Sequence, residues 1–279
     1  MVESRESLKR AARSIALWAL LAAALTGCGS MSSFTPGTAV DTTRLNNAIE
    51  SDDAGYVRGA VQAGVLNPNQ RVPAAAWPDG APLVAIAARA GSLEVLRYLI
   101  SAGANVNSRT PVNETPLMLA AFFYEPSLQG TPRAFERHEK AVRMLVEAGA
   151  QLENPHFYTP LSYAAYQGNE RVMRYLIERG ARVNIDAQNG LTYVNTPLMM
   201  AAIQGNENVT RLLLRAGADA DIRVRGGHTA AEFAAKYRHA ALARLLQCAQ
   251  RQAAYSLSGE CRALLGYDPR RQGSAVGTR

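Results

Sequence analysis

Side chains that could form a catalytic or metal-binding cluster are sparse in this sequence. His138-Glu139 begins like the zinc-protease motif H-E-x-x-H, but Val142 stands where the second histidine ligand would be. None of the three lysines follows a glycine, which excludes a phosphate-binding loop of the Walker type. There is also no Gly-x-Ser-x-Gly and no Cys-x-x-Cys. The sequence therefore predicts a protein that is not an enzyme and uses no metal or cofactor.

Two cysteines near the C-terminus, Cys248 and Cys261, are candidates for a disulfide. In an exported protein the bond would close a short loop and stabilise the fold by roughly 3 kcal/mol. The alternative is a pair of buried free thiols. The spacing suits a helix that folds back, which favours the disulfide.

The N-terminal segment has the pattern of an export signal. A basic stretch precedes an apolar run from Ile15 to Leu25. As a helix this run rises about 16 Å, too short for a stable membrane span and typical of a signal-peptide core. The run ends in Leu25-Thr26-Gly27-Cys28, which resembles the lipobox of bacterial lipoproteins. The resemblance implies a signal peptide over 1–27 and acylation of Cys28, and the alternative is an ordinary signal peptide with an incidental cysteine.

Residues 28–43 are rich in Ser, Thr and Gly and are expected to form a flexible tether. No aspartate follows the cysteine, which favours the outer membrane. The expected location is thus the bacterial cell envelope, with the protein held by its lipid and facing the periplasm.

The net charge of +7 is concentrated at the two ends of the chain. The first 27 residues hold four basic and two acidic side chains, and residues 248–279 hold five and two. The remaining body has 21 basic and 19 acidic side chains, or +2. Such a balanced body lacks the cationic surface of a nucleic-acid-binding protein.

An internal repeat with a period near 33 residues organises the middle of the chain. The copies carry paired alanines. The four later copies have a threonine five residues before the pair, usually with proline next, and three copies have a Gly-Ala pair sixteen residues after it, at Gly103, Gly180 and Gly217. In one copy the last distance is 29 residues, because 13 extra residues are inserted. The alanine pairs begin at Ala87, Ala120, Ala164, Ala201 and Ala234, and the threonines are Thr115, Thr159, Thr196 and Thr229.

These residues resemble ankyrin repeats. Residues 159–168 read T-P-L-S-Y-A-A-Y-Q-G, against the family pattern T-P-L-x-x-A-A-x-x-G. The resemblance spans 44–247 in about six copies, the outer two degenerate, and Pro82 replaces the threonine of the first full copy. It implies an all-α fold, an ankyrin-type solenoid of stacked helix pairs with short inter-repeat hairpin loops. A C-terminal cap and a disordered tail are expected over 248–279.

The spacing also has a direct physical interpretation. Threonine followed by proline favours a helix start, since the hydroxyl caps the helix and the missing N–H costs nothing at the first position. A glycine favours the left-handed residue at a helix end, as expected for Gly103, Gly149, Gly180 and Gly217. One helix pair cannot bury its apolar face alone, so stability depends on stacking. The last copy must then have a polar outer face, for which Arg238, His239 and Arg244 are candidates.

The family resemblance implies a protein partner bound on the concave side, which the first helices and the loop tips form. Here the central copies have aromatic residues, an isoleucine and methionines at positions that are usually polar, with cations on either side. Such a composition is typical of binding surfaces. The candidate residues are Arg89, Met118, Phe122, Phe123, Ser162, Tyr166, Gln167, Met199, Ile203, Gln204 and Lys236 on the helices, with Arg109, Phe157 and Tyr193 on the loops.

The insertion over 124–137 leaves an alternative open. It could extend the binding face, or it could fold over Phe122 and Phe123 and bury them.

Two functions are consistent with these features. The first is a lipid-anchored binding protein that captures one protein partner, such as an incoming toxin or effector enzyme that it inhibits in an immunity-type role. The second is an envelope scaffold or a helper protein for a periplasmic enzyme.

Overall fold

A computed structural model describes residues 40–122, 132–154, 157–184, 191–192, 195–252 and 261. The predicted signal peptide, Cys28 and most of the tether lie outside these residues. Within the described ranges no helix is long and apolar enough to cross a membrane.

The described residues form twelve helices in six pairs. In chain order the pairs are α1 (Thr42–Glu50) and α2 (Ala54–Gln62), α3 (Leu83–Ala90) and α4 (Leu93–Ser101), α5 (Pro116–Ala121) and α6 (Pro132–Glu147), α7 (Pro160–Gln167) and α8 (Glu170–Glu178), α9 (Pro197–Gln204) and α10 (Glu207–Arg215), α11 (Ala230–Lys236) and α12 (Ala240–Gln252). The helical fold predicted from the repeat is confirmed. Helix α1 begins at Thr42, one residue before the predicted end of the tether at residue 43, and α12 continues past the predicted start of the cap at residue 248.

The predicted helix starts are confirmed at four of the first helices. Each threonine accepts a hydrogen bond from the backbone N–H three residues later, at 3.2–3.3 Å. At α3 the N-cap residue Pro82 offers no such bond, yet the helix still begins at Leu83. The glycines predicted at the ends of the second helices all have positive φ, between 80° and 95°. The capping residues therefore set the helix boundaries much as their types predict.

Two short pairings of strands lie between helix pairs. Strands β1 (Arg71–Ala74) and β2 (Trp77–Pro82) form an antiparallel hairpin between α2 and α3, which is longer than the short loops predicted there. Strand β3 (Leu191–Thr192) pairs in parallel with β4 (Arg223–Val224). Trp77, the first residue of β2, is buried, with the Arg89 guanidinium 5.2 Å from the centre of its ring.

The chain divides into two compact units, residues 1–151 and 152–279. In the first unit α1, α3 and α5 pack in sequence, as do α2, α4 and α6. In the second unit α7, α9 and α11 pack in sequence, and α8 packs on α10. The paired alanines are fully buried in these stacks, except in the last pair, where Ala235 is exposed and no further helix pair follows within the described residues. Small side chains thus allow the first helices to approach closely.

Asparagine side chains link the loop of one pair to the next along each unit. Asn107 accepts a hydrogen bond from Gln151 N at 2.8 Å and donates one to Gly149 O at 3.1 Å. The same two-bond link is made by Asn69 to the following loop and by Asn184 to residues 217 and 219. These links fix the spacing of successive pairs within a unit.

The insertion of the third pair lengthens its second helix. Helix α6 has 16 residues, whereas the second helices before and after it have nine. Phe123 and residues 124–131 of the insertion lie outside the described residues, and with them the choice between an insertion that extends the binding face and one that covers Phe123. Cys248 on α12 and Cys261 form a disulfide, with their Cα atoms 5.2 Å apart.

Candidate functional site

A cavity of about 450 Å³ lies in the second unit, at the ends of two neighbouring first helices. Its lining includes three of the residues selected from the sequence, Tyr166 and Gln167 from α7 and Gln204 from α9. The turn into α10 completes it with Gly205, Asn206, Glu207 and Asn208. The stacking of α7 on α9 places these side chains side by side.

The lining is rich in carboxamides held by local hydrogen bonds. Asn206 is the N-cap of α10, and its Oδ1 accepts from Val209 N at 3.2 Å. Glu207 is paired with Arg211, whose Nη2 donates to Oε1 at 2.7 Å. The amides of Gln167 and Gln204 can both donate and accept hydrogen bonds toward a ligand. The cavity can therefore hydrogen-bond a peptide main chain or polar side chains.

Four other candidates are buried, and their predicted exposure is wrong. Met118 and Ser162 have no exposed surface, and Met199 is nearly as inaccessible. Ile203 is 8% exposed, because the stack covers it, and the His239 ring reaches its carbonyl oxygen at 3.2 Å. None of these four side chains can form a partner-binding surface in this conformation.

Burial of the first three follows from their place in the helix. Each is the third residue of a first helix, so its side chain lies beside the capping threonine. The Met118 and Met199 sulfur atoms accept hydrogen bonds from the backbone N–H groups of Thr115 and Thr196, at 3.5 and 3.4 Å. Ser162 Oγ lies 3.2 Å from Thr159 Oγ1. These residues complete the helix caps.

The candidates of the first unit lie on three different elements. Arg89 on α3 is half-buried against Trp77. Phe122 is half-buried at the end of α5, and Arg109 donates from Nη1 to Asn113 Oδ1 at 2.8 Å in a loop.

Of the remaining candidates, two are placed in the second unit and two are not described. Phe157 is half-buried, with its ring edge-on to Tyr158 at 5.6 Å. Lys236 is exposed at the end of α11. Phe123 and Tyr193 lie outside the described residues.

Sequence reasoning missed the residues that the turn contributes to the cavity. Asn206 and Asn208 attract no attention as isolated amides. The available signal was the position of Asn206 directly after the glycine that ends α9, which makes it a helix N-cap beside Gln204. Within the described ranges no three His, Cys, Asp or Glu side chains are placed to hold a metal ion.

Comparison with known families supports the interpretation of the repeat. Residues 161–214 match the family model for ankyrin repeats in many copies, and residues 81–111 match that for a single ankyrin repeat. The chain contains ankyrin repeats. Ankyrin repeats are protein–protein interaction modules, so a protein partner is expected.

Two curated relatives share part of this ankyrin region. The "Ankyrin repeat and SAM domain-containing protein 6" of Mus musculus is 30% identical over 115 residues, which is 40% of this chain. Its counterpart in Rattus norvegicus is 31% identical over 110 residues, or 38% of this chain. The matches span only 12% and 11% of those two proteins.

Proposed function

We propose that this chain is a lipid-anchored ankyrin protein that captures a protein partner through the cavity between α7 and α9. The observation that carries the proposal is the convergence of Tyr166, Gln167 and Gln204 on one cavity. An aromatic ring beside several amides provides both contact area and hydrogen bonds at a low cost in side-chain entropy. A peptide segment of the partner would lie across these side chains.

We further propose that the protein is anchored by acylated Cys28 in the bacterial envelope, where it faces the periplasm. The match at residues 25–28 and the basic and apolar segments before it support this anchor. A binder tethered beside the membrane is well placed to meet and inhibit a toxin or effector that arrives there. The proposed biological role is therefore of the immunity type.

A photo-crosslinking amino acid at position 204 tests the binding site in intact cells. We expect one protein to be captured, and Tyr166→Ala in the same chain to reduce its yield at least several-fold. A probe at the exposed Arg215, on the second-helix side, is the matched control and should not capture that protein. Equal capture from both positions, or none from position 204, would contradict the proposal. Separately, Cys28→Ser should move the protein from the membrane to the soluble fraction.

A further inference from the structure

The last helix pair differs from the inner ones at the turn between its two helices. Arg238 has φ +67°, the left-handed region, where inner turns have Gly168 and Gly205. Its N–H donates to Ala235 O at 3.0 Å, as Gly205 N–H does to Ala202 O. The turn is therefore the same, but a non-glycine residue holds it against the steric preference of its Cβ. A residue that adopts this strained conformation where other pairs have glycine indicates a use for its side chain.

The side chains around this turn are exposed and cationic. Tyr237 is 40% exposed, its chain neighbours Lys236 and Arg238 are exposed, and so is Arg244 in the first two turns of α12. Among the residues that the structure describes, none of the three cations has an ion-pair partner. Exposed Tyr and Arg next to each other are the residue types that contribute most at protein interfaces.

The charge of this region indicates which kind of ligand it would bind. No acidic residue occurs in the sequence between Glu232 and Glu260, whereas four basic residues do. Residues 152–252 carry 12 basic and eight acidic side chains, or +4, and residues 40–151 carry 10 and 11, or −1. The chain's own tail is poorly suited to bind these cationic side chains, since residues 253–279 hold four arginines and two acidic residues.

We propose that Lys236, Tyr237, Arg238 and Arg244 form a second docking surface, which binds an acidic segment of a protein partner. Carboxylates would pair with the guanidinium groups, and the Tyr237 ring would pack against the stems of the acidic side chains. The proposal rests on the proposed function in one respect, that the partner is a protein. It concerns a surface separate from the cavity residues.

Fluorescence anisotropy with a labelled oligoglutamate peptide tests this surface on the full chain. The peptide should bind at low salt and more weakly at physiological salt. The double variant Arg238→Gly/Arg244→Gln should lose roughly tenfold in affinity or more. Arg238→Gly alone should weaken binding while it raises Tm by about 2–4 °C, because glycine relieves the turn. A purely structural role for Arg238 predicts no loss of affinity.

Two variants separate this proposal from its alternatives. Arg215→Gln removes an exposed cation of the same unit and should leave peptide binding unchanged, as should Gln204→Ala in the cavity. An equal loss with Arg215→Gln would show that net charge alone acts, and would overturn the proposal. Absence of peptide binding, or preferential binding to anionic vesicles or duplex DNA in the same assay, would also overturn it. Gln204→Ala shows whether the peptide binds in the cavity instead. The failure of this surface can therefore be told apart from the failure of the proposed cavity site.

Discussion

In five of the six helix pairs, the turn between the first and the second helix has one backbone conformation but three residue types. Inner pairs use Gly91, Gly168 and Gly205, the first pair uses Asp52, and the last pair uses Arg238, all with φ between 59° and 79°. Against each glycine lies a side chain of the following pair, in the space that a Cβ would fill. No following pair lies against Arg238 in the described residues. The residue allowed at the turn therefore depends on what the next pair places against it.

At the first pair the turn residue itself, Asp52, supplies the side chain that contacts the next pair. Its Oδ1 accepts hydrogen bonds from Glu94 N at 2.9 Å and Val95 N at 3.0 Å, at the start of α4. The N-cap residue of α4, Ser92, donates its hydroxyl to Ile49 O at 2.5 Å and does not cap its own helix. The first pair thus supplies the cap that the second pair lacks.

The largest expected effect is that of Gly205→Ala. A Cβ there would lie 2.5 Å from His239 Cε1, and the residue has φ +71°. We expect a loss of roughly 2–3 kcal/mol in the free energy of unfolding, measured by urea denaturation. Gly217→Ala is the control, with φ +88° but nothing within 4 Å of its Cβ, and should cost about 1 kcal/mol. Equal losses would show that strain alone, and not the neighbouring pair, selects glycine.

His138, which lies against Gly91, gives the first unit a dependence on pH. Burial lowers the pKa of His138 from 6.5 to about 4, although its hydrogen bond to Ala120 O, 3.0 Å from Nδ1, acts in the opposite direction. The unfolded chain therefore binds more protons between pH 6.5 and 4, and stability is lost as the pH falls through this range. From pH 7.5 to pH 5 we expect a decrease of about 2 kcal/mol.

Replacing His138 with asparagine removes the titrating group. Inner pairs already have Asn169 and Asn206 at the equivalent place, so His138→Asn should fold and should flatten the pH dependence measured by urea titration. If the slope of the free energy of unfolding against pH is unchanged by this substitution, other groups cause the pH dependence.

A smaller effect is expected at Asp52. Asp52→Ala removes the cap of α4 but keeps a strained turn, and should cost about 1–2 kcal/mol in thermal or urea unfolding. Asp52→Gly also removes the cap but relieves the turn, so it should cost less. If glycine and alanine are equally destabilising, the backbone conformation contributes nothing at the first pair.

The helix starts and ends could be predicted from the sequence because single residues decide them. A threonine, a proline or a glycine at a fixed offset acts locally, so Thr159 and Gly180 are placed correctly without knowledge of the fold. Part of the cavity lining was selected for the same reason, since Gln167 and Gln204 occupy the same repeat position.

The remaining features depend on contacts between distant residues. Exposure of Met118 and Met199 was predicted wrongly because their sulfur atoms bond to cap N–H groups. The β1–β2 hairpin is held by Arg71, which donates to Gly80 O and Arg109 O. The repeat period also did not predict that the insertion would lengthen α6.

Trp77 makes the first unit separately observable by spectroscopy. The chain has two tryptophans, and the other, Trp18, precedes the described residues. Trp77 is part of the β1–β2 hairpin and is 5% exposed, so its fluorescence reports the opening of that hairpin, whereas far-ultraviolet circular dichroism reports helices in both units. Coincident denaturation curves from the two signals would mean that the units melt as one cooperative block, and an early fluorescence change would mean that the hairpin opens first.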